Sequence, residues 1–412
     1  KLDDKALAQR AKAQTLLGTI HEQRGDLTGA RDAFLQAAST THELAQRDPD
    51  NGERVFDEAQ NVYWLAYIEW RQGNPVGAER GFKRYGDLAQ TLVGLDPRRA
   101  DWRLEVAYAK SNLGTLLFDQ GRIEEALTAF RAALLAFEAE RARAPQDQDR
   151  LADVVDAHGW VADSLVRLGR LREAYAEREG VANLLLQASA RAAGDKPLAA
   201  DSFAAQLALA RLELNMGKTA QARVRRLGAM QGFRELVTLD PTNRRWREFL
   251  LVGQLDAVDD ALGAHQLAEA RAALAQASGL LTPIGSDGGA HGWRVDLDGR
   301  HSQQEITLAR LAGDPAGARR LALDLLDRLR RTPETRDARS SRPALQGFAY
   351  LAAGQEASAV SILSPQRASL SPVSRDVLAR AYLALGQRER AEPIVAALQK
   401  DGYAHPEFLA FW

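Results

Sequence analysis

The 412-residue sequence has no cysteine, which excludes disulfides, thiolate metal sites and cysteine nucleophiles. It also lacks a charge of one sign: 54 Lys and Arg stand against 55 Asp and Glu, without the basic excess of a generic nucleic-acid binder. Nucleic acid is therefore not an expected partner. No run of about 18 apolar residues occurs, so no membrane insertion by this segment is expected. Runs of β-branched residues are scarce, while Ala, Leu, Arg, Glu and Gln abound, a balance that favours helix. Aromatics make up only 7% of the chain. Yet VYWLAYIEWRQG (62–73) holds Tyr63, Trp64, Tyr67 and Trp70 close together. That stretch is either core or a surface that holds something.

Motifs of catalysis and metal binding are mostly broken. Met216-Gly217-Lys218-Thr219 imitates the end of a phosphate loop, but Leu212 stands where another glycine is needed. His21-Glu22 and His42-Glu43 lack the second histidine four residues on that a helical zinc site requires. There is no Gly-x-Ser-x-Gly. In 285–305, Asp296, Asp298 and Glu305 fall at positions 3, 5 and 12 of a calcium-binding loop. Position 1, however, is Arg294, which makes this a weak metal candidate. A glycine-rich connection explains the same residues. No cofactor is implied and no catalysis is expected. The arginine groups 223–247 and 319–331 read first as solvated helix faces with acids nearby, and otherwise as a surface for an acidic ligand or a nucleic-acid backbone.

What the sequence does contain is a period. Gly25, Gly73, Gly121, Gly169 and Gly217 recur every 48 residues, followed in register by His265 and Gly313. Five residues after each stands an alanine: Ala30, Ala78, Ala126, Ala174, Ala222, Ala270 and Ala318. Gly354 with Ala359, and Gly386 with Ala391, continue at shorter spacing, giving nine units. Asp48-Pro49, Asp96-Pro97, Ala144-Pro145 and Asp240-Pro241 share the period. The anchor glycine suits a tight turn between helices, because it accepts positive φ without strain. The alanine permits close approach of the second helix, and the proline ends it. Each unit reads as a hairpin of two helices of about 20 residues, roughly 30 Å long.

Leu17-Gly18, Gly25, Ala30, Phe34 and Ala37 resemble the tetratricopeptide repeat (TPR), as do Leu113-Gly114, Gly121, Ala126, Phe130 and Ala133. The likeness covers nearly the whole chain, with longer helices than the usual 34-residue unit. It implies an all-α, right-handed superhelical solenoid of about nine antiparallel hairpins. The expected divisions are an array over 1–284, a glycine-rich loop over 285–299 and a continuing array with a C-terminal cap over 300–412. The long form resembles the C-terminal TPR regions of bacterial multidomain signalling proteins, which carry Ser/Thr kinase, TIR or NTPase effectors. The opening KLDDKALAQRAKAQ has no leader pattern and no initiator Met, so a fragment of a longer protein is expected. Its compartment would be bacterial: cytoplasmic, or the extracytoplasmic part of a membrane-anchored protein.

The resemblance further implies that the first helix of each hairpin lines a concave groove. In unit two it places Tyr63, Tyr67, Trp70 and Arg71 there, and in unit three Tyr108, Thr115 and Phe118. Units four and five add Asp163, Arg167, Arg211 and Asn215. Later units offer mostly Leu and Ala, which suggests a tightly wound or self-filled C-terminal half. The aromatic stripe leaves self-packing and ligand contact both open. The implied function is a non-catalytic interaction or sensor scaffold that binds a protein or peptide and regulates a missing N-terminal effector. A homo-oligomerisation module and a small-molecule pocket inside a closed superhelix are the alternatives.

Overall fold

The computed structural model describes residues 3–285, 292–332 and 341–412, and among these every regular element is helical. The chain divides into two compact units, Lys1–Ser164 and Leu165–Trp412.

In the first unit, α1 (Asp4–Gln23) and α2 (Leu27–Arg47) form one antiparallel hairpin. α3 (Gly52–Arg71) with α4 (Pro75–Leu95), and α5 (Ala100–Asp119) with α6 (Ile123–Arg143), form the next two. α7 (Gln148–Arg167) follows and contains the unit boundary. The second unit continues with α8 (Leu171–Arg191), α9 (Lys196–Asn215), α10 (Thr219–Leu239), α11 (Arg244–Gly263) and α12 (Leu267–Gly285). Then come α13 (Gly292–Leu311), α14 (Pro315–Arg331), α15 (Arg342–Ala352) and α16 (Glu356–Leu363). A 3₁₀ turn (Ser364–Ser369), α17 (Pro372–Ala384), α18 (Arg388–Lys400) and α19 (Pro406–Phe411) complete it.

The anchors sit where the sequence puts them. Every anchor glycine has positive φ, and His265 takes the same conformation at φ 56°. At Gly25 the turn closes by two bonds: Gly25 N–H donates to the Glu22 carbonyl and Asp26 N–H to that of His21, both at 2.9 Å. This satisfies carbonyls that the end of α1 would otherwise leave open. The seven alanines of the regular repeat are all at most 4% exposed. Above them, Gly18 and Gly114 meet the rings of Phe34 and Phe130, where a Cβ would stand 2.8 Å and 2.7 Å from ring carbons. Bulk on the second helix thus requires smallness on the first. Large rings extend this packing between hairpins: Trp64 stacks on Phe34 at 5.5 Å and Trp160 on Phe130 at 5.2 Å.

Two features differ from the sequence expectation or add to it. Residues 286–291 of the expected loop lie outside the described residues, but 292–299 are helical, the start of α13. Gly299 serves packing: a Cβ there would lie 2.5 Å from Leu345. Gly402, at φ 85°, makes a further anchor turn that the repeat count did not include. From it the chain runs back across its own unit. The Ala404 N–H donates to the Asn215 carbonyl at 2.8 Å, Gly217 packs under Ala404, and Gly263 packs under Pro406. Phe408 is fully buried, and the Trp412 indole N–H donates to Asp376 at 2.8 Å. This segment lies against the C-terminal ends of α9 and α11.

Candidate functional site

The expected groove residues separate into three groups. In the second unit they contact other parts of the same unit. The Arg167 guanidinium donates to the Ser369 carbonyl at 2.7 Å, and the main-chain carbonyl of Asn215 accepts from the Ala404 N–H. Arg211 pairs with Asp256 at 3.0 Å, and Arg300 reaches the same carboxylate. Burial opposes charge on Asp256, yet the two guanidiniums hold its carboxyl below the usual range. The arginine groups are largely engaged as well: Arg225 grips Glu213, Arg226 pairs with Asp260 and Arg245 with Asp201.

A second group is structural within the first unit. Trp70 is 7% exposed, donates its indole N–H to Asp119 at 2.9 Å and packs edge-on against Phe82. It belongs to the core, which corrects its place on an open stripe. Hairpin three covers that end of α3. Arg71 pairs with Glu22. Thr115 bonds back to the Ser111 carbonyl at 2.9 Å, as helical threonines do. Phe118 packs on Trp160 at 5.6 Å, while Asp163 is exposed.

The third group surrounds a cavity of about 450 Å³. Its rings are Tyr63 from α3, Tyr85 from α4, Tyr108 from α5, Phe137 from α6 and Trp160 from α7. Tyr67 stands beside Tyr63 at 6.4 Å, half-buried. The cavity's carboxylates are Glu105, Asp153 and Asp156, and no Lys or Arg among the described residues lines it. Asp153 accepts from the Tyr108 hydroxyl at 3.1 Å and pairs with Arg150 at 2.8 Å. Burial, then Asp153, pushes the Tyr108 phenol up to about 12.

Glu105 is 9% exposed and accepts from the Gln60 amide at 2.8 Å and from the Tyr85 hydroxyl. Burial pushes its carboxyl above the usual range, against those two hydrogen bonds. Glu105, Tyr85 and Gln60 were not expected here. Tyr85 lies on a second helix, outside the groove rule. A signal for Glu105 did exist: 16 residues before successive anchors stand Asp57, Glu105, Asp153 and Asp201, an acid at the repeat period.

The calcium-loop reading does not survive the geometry. Asp296, Asp298 and Glu305 lie on the rod of α13, where Asp298 pairs with Arg328 at 3.0 Å and Glu305 approaches His301 at 3.6 Å. A helix cannot wrap its own side chains around an ion as a loop does. Among the described residues no group of three His, Asp or Glu could hold a metal, and no helix is long and apolar enough to cross a membrane.

Stacked antiparallel hairpins, closed by glycine turns and packed through an alanine and a ring, define an α-helical repeat protein. A family model described as tetratricopeptide repeat matches residues 107–132 and 372–397. The chain thus carries tetratricopeptide-type repeats in each of its two units. Its fold is shared with the apo form of RapI, at 10% identity and a TM-score of 0.52, over 94% of this chain and 98% of that one. BtubC (BKLC) from P. vanneervenii aligns at 18% identity and a TM-score of 0.49, over 64% of this chain and 94% of its own. A TPR protein from Parabacteroides merdae aligns at 14% identity and a TM-score of 0.41, over 78% and 98%. No curated protein matches the sequence.

Proposed function

We propose that this chain is a non-catalytic interaction scaffold that binds a peptide or protein segment on the first unit, along α3, α5 and α7. The observation that carries this reading is the cavity bordered by Tyr63, Tyr108 and Trp160. Rings with two rotatable angles offer large contact area at low entropic cost, and flanking carboxylates supply orientation. The second unit is the poorer host, since Arg167 already holds the Ser369 carbonyl and the C-terminal segment docks at the Asn215 main-chain carbonyl. In this proposal the scaffold serves a bacterial signalling protein, and occupancy biases an effector domain upstream of Lys1. The sequence encoded upstream tests that link; an unrelated neighbour there removes it.

A peptide-display selection against the whole chain tests the binding reading. Enriched peptides should lose binding with Tyr108→Ala and keep it with Arg211→Ala. Failure to enrich any peptide, or indifference to Tyr108→Ala, overturns it.

A further inference from the structure

We infer that the cavity of the first unit takes a cationic side chain, a lysine ammonium or arginine guanidinium, from the bound peptide. This rests on the scaffold reading above and specifies its chemistry. The argument begins with how the chain treats buried acids. Among the described residues Glu58 meets Arg84 at 2.9 Å, Glu140 meets Arg103 at 2.7 Å and Glu213 meets Arg225 at 3.0 Å. Asp256, Asp260 and Asp376 likewise each meet an arginine. Glu105 alone of the buried acids has neutral partners, Gln60 and Tyr85. A buried carboxylate without a cation is costly, because low dielectric disfavours its charge. Glu105 is also the buried acid that borders this cavity.

The walls match a cation independently of the acids. Faces of Tyr and Trp attract an ammonium or guanidinium through the ring quadrupole, within about 6 Å of the ring centre. Tyr63 and Tyr85 lie 5.6 Å apart and Tyr108 and Phe137 5.3 Å apart, tilted rather than sandwiched. Asp153 and Asp156 also border the cavity from α7, and Arg150 pairs with Asp153. The volume of about 450 Å³ exceeds what one side chain needs, leaving room for its neighbours.

The test uses the full chain labelled with fluorotryptophan, with Trp160→Phe assigning one of its seven tryptophan resonances. The probes are the N-acetyl amides of lysine, arginine and norleucine, and the free diamine cadaverine. The lysine or arginine amide should shift the Trp160 signal saturably, and the norleucine amide should not. Glu105→Gln keeps an acceptor oxygen and should weaken the cationic probe by about tenfold or more. Tyr108→Leu should weaken it too. No shift, or a norleucine amide that binds as tightly as the lysine amide, overturns the inference. Cadaverine binding about tenfold tighter than the lysine amide overturns the peptide origin. A display selection that yields tight peptides without Lys or Arg would keep the scaffold and discard the cation.

Discussion

At the residue scale, the most informative side chains are those whose surroundings contradict their type. Glu105 is an acid whose folded carboxyl lies above its unfolded value. Its contribution to stability is therefore complete below the unfolded value and is lost as pH rises through the folded one. Glu105→Gln should melt above the parent near neutral pH, and the gap should close near about pH 4. Thermal melts of both chains across pH measure this. A variant that gains stability while losing a cationic ligand marks a site and not a structural contact. Trp70 is the opposite case. It is buried, hydrogen-bonded and packed on Phe82, so Trp70→Ala should cost about 3–5 kcal/mol in denaturant unfolding. Tyr67→Ala, on a half-buried residue, should cost clearly less.

At the element scale, turn geometry outranks residue identity. His265 occupies a slot that eight anchor glycines fill elsewhere, and it adopts their positive φ. A side chain there is strained by about 1 kcal/mol, so His265→Gly should raise the melting temperature. Gly73→Ala should lower it, since Gly73 has φ 81° and its Cβ would meet nothing within 4 Å. The periodic glycines and alanines made each of these turns but that at Gly402 legible in the sequence, including the one that holds histidine. The segment 292–299 was misread because glycine marks loops and close helix packing alike. Only the presence of Leu345 over Gly299 separates the two.

At the scale of the whole molecule, the last dozen residues shape the second unit more than their number suggests. They lie over the turns at Gly217 and Gly263 and bury Phe408. Deleting 402–412 should expose the ends of α9 and α11. Amide exchange should then accelerate there and stay unchanged at the cavity of the first unit. Equal protection with and without the segment would show that the contacts are marginal.

What the sequence determined by itself was the repeat: its period, its helical hairpins, the buried alanines and the left-handed turns. These follow from local rules, in which a glycine or proline acts on its own neighbours within a few residues. Tertiary structure decided which members of the aromatic stretch 62–73 are core and which border a cavity. Trp70 went inside because hairpin three brought Asp119 to its indole, while Tyr63 stayed beside Tyr85 and Tyr108. It also decided that Glu105 would lack the arginine that every other buried acid among the described residues has. Pairing of side chains dozens of residues apart depends on where stacked helices set them, and no local pattern records that.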